Sequence, residues 1–319
     1  MHKNIILISG AGQLGSRYLQ GMISCQIPLT IYLHDISLES LDTAKNRWAE
    51  VSGQGSLHEV KYVSSLDQIS KKIDLVIVST TAAIRPNLIS EINKHSKVRY
   101  WILEKILAQS IEGLDQISNI IGEEENAWVN TPRRIMPWYK EIKVSFGLDS
   151  PISMNLNASN WGLACNSIHY IDLFSWLTGE NLIEVNTSDL NESWFESKRI
   201  MNWEINGKLT IKYSNGSILT LNSESKEINS EICIKNDSYE WKIVESKGIA
   251  ERSDGLKING KLSFQSELTS KLVETILQNG ISDLPILSES ILQHKIFIKS
   301  MLGHWNKSNN RNDKIVPIT

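Results

Sequence analysis

Nothing in this 319-residue sequence stays apolar long enough to cross a membrane, because its longest apolar runs are strand-sized, far short of the roughly 20 residues that span a bilayer. Cysteine is scarce as well. The three present, Cys25, Cys165 and Cys233, are odd in number and widely spaced, which argues against a disulfide framework and points to a reducing cytoplasm. Neither sign of charge is in excess: 33 Lys and Arg stand against 36 Asp and Glu, a net charge of −3. That balance gives no electrostatic reason to expect nucleic acid or an anionic membrane as partner, and a small molecule is expected instead. A secretory leader is not expected either, since Lys3 leads into a short strand and then glycines rather than into an apolar segment with a cleavage site. The glycosylation-like match Asn157-Ala158-Ser159 is therefore read as chance. Repeats, low-complexity tracts and a long linker are also lacking.

What is present is length enough for two domains, drawn here as 1–130 and 131–319. The first alternates short apolar runs with helix-like stretches, the pattern of a parallel sheet wrapped by helices. Strands are expected at Asn4–Ser9, Leu29–His34, Val60–Val63, Leu75–Ser79, Tyr100–Leu103 and Ala127–Asn130, with helical spacing over Leu38–Ser52 and Leu88–Lys94. The second part carries a helix near Met136–Phe146, a strand over Pro151–Ser159, and an apolar helix Cys165–Leu177 stopped by Thr178-Gly179. β-type segments follow from Leu182 to Val244, with Asn215-Gly216 as a hairpin signal between Lys208–Tyr213 and Ser217–Ser223. Two late helices are expected, Gln265–Gln278 with Leu268, Leu272, Val273 and Ile276 inward, and Leu287–Trp305. The tail Lys314–Pro317 reads as a last extended segment.

The chemistry begins at Gly10-Ala11-Gly12-Gln13-Leu14-Gly15, where a strand should turn into a helix. The first glycine permits the tight turn, the second lets backbone approach a pyrophosphate, and the third lets helix pack on strand. The helix N-terminus at Gln13 and Leu14 then offers N–H groups and a positive dipole end to phosphates. Asp35, at the end of the second strand, sits where a carboxylate can accept hydrogen bonds from a ribose 2′-hydroxyl. It would repel a 2′-phosphate, and Ile36 and Ser37 bring no arginine, so NAD is favoured over NADP. Ser79, Thr80 and Thr81 end the fourth strand with small side chains that leave room for a cofactor. Pro86 reads as the first turn of a helix rather than a site residue.

Glu104 and Lys105 follow the fifth strand. Exposed Glu-Lys pairs are usually just solvated, but a lysine at the carboxyl end of a central strand points into the cofactor crevice, where its ammonium can bind or protonate a substrate oxygen.

With these residues the sequence resembles the Gfo/Idh/MocA family, the glucose-fructose oxidoreductase and inositol dehydrogenase group, over nearly its whole length. Gly10-x-Gly12-x-x-Gly15 matches at the start, Glu104-Lys105 stands for the family's Glu-Lys-Pro, and Trp161-Gly162-Leu163 through His169-Tyr170-Ile171-Asp172 matches its second-domain helix. Leu284-Pro285 and the helix after it match a late family element. The resemblance implies an α/β protein: an N-terminal Rossmann domain with a parallel sheet, then a C-terminal α/β domain with an open, mainly antiparallel sheet. It further implies a nicotinamide cofactor, hydride transfer to or from a sugar, cyclitol or sugar derivative, and a homodimer or homotetramer.

Two departures stand out. Ile106 replaces the proline, and Cys165 occupies the position of an acid four residues before the histidine. Lys105 and His169 are the candidate catalytic pair, Lys105 being preferred as base, and Glu104 is assigned to the cofactor site. Arg134, Trp161 and Asn166 are candidate substrate contacts, with Arg133 and Trp138 beside them. Core packing is the plainer reading of Trp138 and Trp161, as it is of His169. Asp172 reads as structural or as orienting His169. A metal is not expected, because Cys165 and His169 alone do not complete a tetrahedral set. A non-catalytic sensor that binds dinucleotide or sugar on the same fold is the alternative, and reduction of an imine or small oxo compound a minor one.

Overall fold

The computed structural model describes residues 3–53, 56–122, 125–146 and 150–319. In chain order its elements are β1 (Asn4–Ser9), α1 (Gln13–Met22), β2 (Leu29–His34), α2 (Leu38–Val51), β3 (Glu59–Val63), β4 (Lys72–Val78), α3 (Arg85–His95), β5 (Lys97–Leu103), α4 (Ile111–Ile121), β6 (Ala127–Val129), α5 (Pro137–Val144), β7 (Ser153–Ser159), α6 (Leu163–Thr178), β8 (Leu182–Leu190), β9 (Phe195–Glu196), β10 (Trp203–Glu204), β11 (Gly207–Tyr213), β12 (Ile218–Glu224), β13 (Glu231–Lys235), β14 (Glu240–Val244), β15 (Ile249–Arg252), β16 (Lys257–Asn259), α7 (Gln265–Asn279) and α8 (Leu287–Asn309). They cluster into two units. One joins Met1–Leu107, Asp115–Asn130 and Ser263–Ser288; the other joins Ala108–Leu114, Thr131–Leu262 and Glu289–Thr319. The sequence reading drew a single division after residue 130, and Ser263–Ser288 clusters with the first unit.

In the first unit six strands form a wholly parallel sheet, ordered β3-β2-β1-β4-β5-β6. Parallel neighbours need crossover connections, which the intervening helices supply. Ile6, Leu7 and Ile8 of β1 and Leu75 to Val78 of β4 are completely buried, so both faces are covered and the strands read as continuous apolar runs. Strand order reverses between β1 and β4. Their carboxyl ends therefore part and open a crevice, the usual ligand position in such sheets.

Helix α7 returns to this unit and packs on α1. The contact is close at Gly21, where an added Cβ would stand 2.5 Å from the Ser266 carbonyl oxygen and 2.7 Å from Thr269 Cβ. Leu272, Val273 and Ile276 face inward as expected, but Leu268 is only half-buried and Thr269 is fully buried. Thr269 can lie there because its hydroxyl donates to the Gln265 carbonyl one turn back, at 2.7 Å.

The second unit is built on an eight-stranded sheet ordered β16-β15-β14-β13-β7-β12-β11-β8, antiparallel except where β7 runs parallel to β12. Its strands alternate. Met154, Leu156, Leu219, Leu221, Ile232, Ile234, Trp241 and Ile243 are buried while their neighbours are not. α6 supplies buried Ile168, Ile171 and Phe174; Phe174 meets Tyr213 edge-on at 5.0 Å, and the Tyr213 hydroxyl donates to the Ile171 carbonyl. Gly179 ends α6 at φ 70°, and Gly216 turns the β11–β12 hairpin at φ 94°. The tail Lys314–Pro317, expected to be extended, forms no strand: Val316 N–H donates to the Gln109 carbonyl, and the Pro317 carbonyl accepts from the N–H of Trp203 in the two-stranded β9–β10 ribbon. Among the described residues no helix is long and apolar enough to cross a membrane.

Because backbone on α7 cannot yield to a new methyl group on α1, Gly21→Ala is expected to destabilise the protein by about 1–3 kcal/mol, as overpacked cores do. Denaturant unfolding of the variant measures it; wild-type stability would contradict the close α1–α7 approach.

Candidate active site

The turn between β1 and α1 is set by its glycines. Gly10 adopts φ 104° and lies under the β4 end, where a Cβ would meet Ser79 and Thr80 backbone at 3.0 Å. Gly15 allows no side chain at all, since its Cβ would fall 1.7 Å from the Gly10 carbonyl oxygen. Gly12 is different. Its φ of −61° suits any residue, and a Cβ there would meet no protein atom within 4 Å. The fold thus gives no reason for glycine at 12, whereas a group lying against the backbone at the start of α1 does. No side chain caps α1, and its first turn holds no acid, so its free N–H groups and dipole face that space.

Beside this turn is a cavity of about 690 Å³ lined by Gly10, Gly12, Asp35, Ser79, Thr80 and Thr81, six of the residues read from the sequence as cofactor contacts. Gln13, Leu14, Gly15, Glu104 and Lys105 are not on its wall. Gly15 lies beneath the turn, and the Gln13 side chain accepts from Arg47 at 2.8 Å. Asp35 is fixed from two sides: one carboxylate oxygen accepts from Ala11 N–H at 2.7 Å, the other from Ser37 N–H at 2.9 Å. Each oxygen keeps a lone pair for a ligand hydroxyl. The wall also carries Asp67 and Glu91, which the sequence reading missed, and among the described residues that line it there is neither Lys nor Arg. His34, also missed, meets the Ser9 hydroxyl at 2.9 Å, and burial lowers its pKa.

After β5 the chain carries Glu104 and Lys105. Glu104 is 4% exposed, and its carboxylate accepts from the Tyr18 hydroxyl at 2.5 Å and the Asn130 amide at 2.6 Å. Assigned to the cofactor from sequence, it instead faces the core, because β5 delivers it between α1 and β6. Burial raises its pKa against the pull of Tyr18, Asn130 and the Arg85 and Lys105 charges. Lys105 is half-buried and Ile106 to Ala108 are buried. The carbonyls of Ile106 and Leu107 are held by Arg85, a fully buried arginine at the start of α3, which donates to Ile106, to Leu107 at 3.2 Å and also to Thr80. Pro86 sits in the first turn of α3 as expected, but no local pattern marks its neighbour Arg85 as buried.

In the second unit His169 lies half-buried on α6. The helix begins at Gly162, and Glu204 of β10 sends its buried carboxylate to the Ala164 and Cys165 N–H groups at 2.8 and 3.2 Å. An acid therefore does reach residue 165, from another strand and through backbone. Asn166 donates to the Trp161 carbonyl, and Trp161 donates to the Asn222 carbonyl while meeting Tyr170 edge-on at 5.4 Å. Trp138 is buried against Tyr139 and Gly260.

Arg134, a candidate substrate contact, and its neighbour Arg133 are both engaged by carboxylates. Arg133 is bidentate on Glu245, with both contacts at 2.9 Å, and lies 4.2 Å over the Tyr170 ring. Arg134, 6% exposed, binds Asp172 at 2.7 Å and Glu289 at 2.8 Å. Burial pushes the Asp172 carboxyl up to about 7, opposed by Arg134 and by the Thr131 hydroxyl at 2.7 Å. Asp172 is thus a structural anchor of its own unit.

No family model matches the sequence, and no curated protein matches it. Solved structures do match. Scyllo-inositol dehydrogenase from Lactobacillus casei, solved with NAD(H) and scyllo-inositol, is 18% identical with a TM-score of 0.68, over 97% of this chain and 98% of that one. Levoglucosan dehydrogenase in complex with NADH is 12% identical with a TM-score of 0.69, over 96% and 98%. The transcriptional regulator Gal80p from Kluyveromyces lactis is 15% identical with a TM-score of 0.73, over 96% and 90%. At these identities the likeness establishes the fold alone, a parallel-sheet Rossmann unit and a mainly antiparallel second unit, shared with these two dehydrogenases and this regulator.

Since no protein atom needs glycine at 12, Gly12→Ala is expected to cost about 1 kcal/mol of stability or less, the scale of an N-cap change. Dinucleotide affinity should fall at least about tenfold, because the methyl group occupies the approach to the pyrophosphate. Parallel unfolding and fluorescence titrations measure both; unchanged dinucleotide affinity would remove the turn from the site.

Proposed function

We propose that this chain is an NAD(H)-dependent oxidoreductase acting on a CH–OH group of an uncharged sugar or cyclitol. The observation that carries the reading is the cavity at the carboxyl ends of β1 and β4, with Gly12 open toward it and Asp35 held at its edge. Nicotinamide bound there supplies the hydride donor or acceptor. The N–H groups at the start of α1 would hold the pyrophosphate, and Asp35 would accept from the ribose hydroxyls. Asp35, Asp67 and Glu91 make the wall acidic, which disfavours the extra phosphate of NADP. Two dehydrogenases of the same fold were solved with this type of cofactor, and one with a cyclitol.

Lys105 and His169 hold the reacting oxygen and carry its proton, with Lys105 the preferred base. Engagement of Arg133 and Arg134 by Glu245, Asp172 and Glu289 favours an uncharged substrate over a sugar acid. Trp161 and Asn166 remain candidate substrate contacts, and homo-oligomer formation through the open sheet belongs to the same reading. A regulator that binds dinucleotide or sugar without turnover is the second reading. It is favoured by the Gal80p likeness and by Cys165 and Ile106.

Titration with each cofactor is expected to show NAD(H) binding at least about tenfold tighter than NADP(H), a gap that Asp35→Ser narrows. Tighter NADP(H) binding to wild type would refute the cofactor assignment. Hydride exchange with a panel of neutral sugars and cyclitols, followed by NADH absorbance, separates enzyme from regulator. On the substrate so found, Lys105→Met should lower turnover by about a hundredfold or more and leave cofactor affinity nearly unchanged; full activity would exclude Lys105 from the chemistry.

A further inference from the structure

We propose that Arg85 is the positioning residue of the Lys105 loop, a buried guanidinium staple that ties the loop to the cofactor-lining turn after β4. The proposal rests on the functional reading above and deepens it. Arg85 is completely buried, and a guanidinium withdrawn from water costs several kcal/mol unless its N–H groups are satisfied. Its two terminal nitrogens donate to backbone carbonyls on two segments. One nitrogen donates to Thr80, on the wall of the cavity; the other donates to Ile106 and, at 3.2 Å, to Leu107, immediately after Lys105. These partners lie 5, 21 and 22 residues from Arg85 in sequence, so the staple closes a long loop onto the end of β4.

The lysine is steadied from its other side as well. Tyr18, on the helix whose N-terminus faces the cavity, holds Glu104 directly before Lys105, and Asn130, just past β6, holds the same carboxylate. Backbone on both sides of Lys105 is thereby fixed by buried side chains. Ile106 stands where the resemblance expects proline, whose ring would restrict the backbone by itself. An isoleucine leaves that backbone freer, and its carbonyl is the one Arg85 holds. A lysine at 85 would keep the charge, but an ammonium is a single point and lacks the fork that spans two turns.

The test compares wild type, Arg85→Lys, Ile106→Pro and the double variant by hydrogen exchange at residues 103–108, by dinucleotide titration and by turnover. Arg85→Lys is expected to exchange at least about tenfold faster in the loop and to lose about a hundredfold in turnover, with dinucleotide affinity falling less than about tenfold. Ile106→Pro should restore both loop protection and turnover to the Arg85→Lys protein. Wild-type exchange and turnover in Arg85→Lys would overturn the proposal, as would failure of the proline to restore either. If Arg85→Lys does not fold, recovery of a folded, protected loop in the double variant supports the staple, and an equally unfolded double variant overturns it. Should wild type turn over nothing in the panel, the enzymatic reading fails, and loop exchange alone still decides the role of Arg85.

Discussion

The first unit depends on one close approach: Gly15 lies so near the Gly10 carbonyl that even a methyl group is excluded. That contact fixes α1 against the end of β1, so the helix N-terminus faces the crevice where strand order reverses. From it follow the position of Gly12, the hydrogen bond between Ala11 and Asp35, and the seating of Tyr18 about one helical turn after Gly15. A looser turn would still make a helix, but not one whose dipole and N–H groups address the cavity.

The parallel sheet was legible because its central strands β1 and β4 are buried on both faces and so announce themselves as apolar runs, while edge strand β3, EVKYV and largely exposed, gives a weaker signal. Asp35, Ser79, Thr80 and Thr81 were legible for a related reason, since they sit at fixed offsets from those strand ends. Residues paired across long stretches of sequence were not. Tyr18 and Glu104 are 86 positions apart, and Glu204 reaches Cys165 across 39. No local pattern marks either partner. Arg134 was expected at the substrate, and nothing local marks it as buried; its burial depends on Asp172 and Glu289, 38 and 155 residues away. Thr269 displaced Leu268 at the α1 contact through size, which periodicity does not weigh.

Buried carboxylates organise both units. Glu104 is met by Tyr18 and Asn130, Asp172 by Thr131 and Arg134, and Glu245 by Arg133, Tyr139 and Tyr170. An isolated ion in the interior costs several kcal/mol, and removing one partner of a buried pair typically costs about 3–5 kcal/mol. Such clusters add little net stability, but they tolerate few alternative arrangements. They set geometry where hydrophobic packing alone would accept several solutions.

The return of α7 has a consequence for how the protein is made. The sheet, the glycine turn and both halves of the Lys105 loop lie within the first 130 residues, yet Gly21 on α1 is shaped for Ser266 and Thr269 of α7. A ribosome must therefore produce the whole intervening β-rich segment before α1 can receive its partner. Until then the nascent Rossmann unit leaves the α7-facing side of α1 uncovered, and a fragment cut at the apparent domain border would inherit that gap permanently.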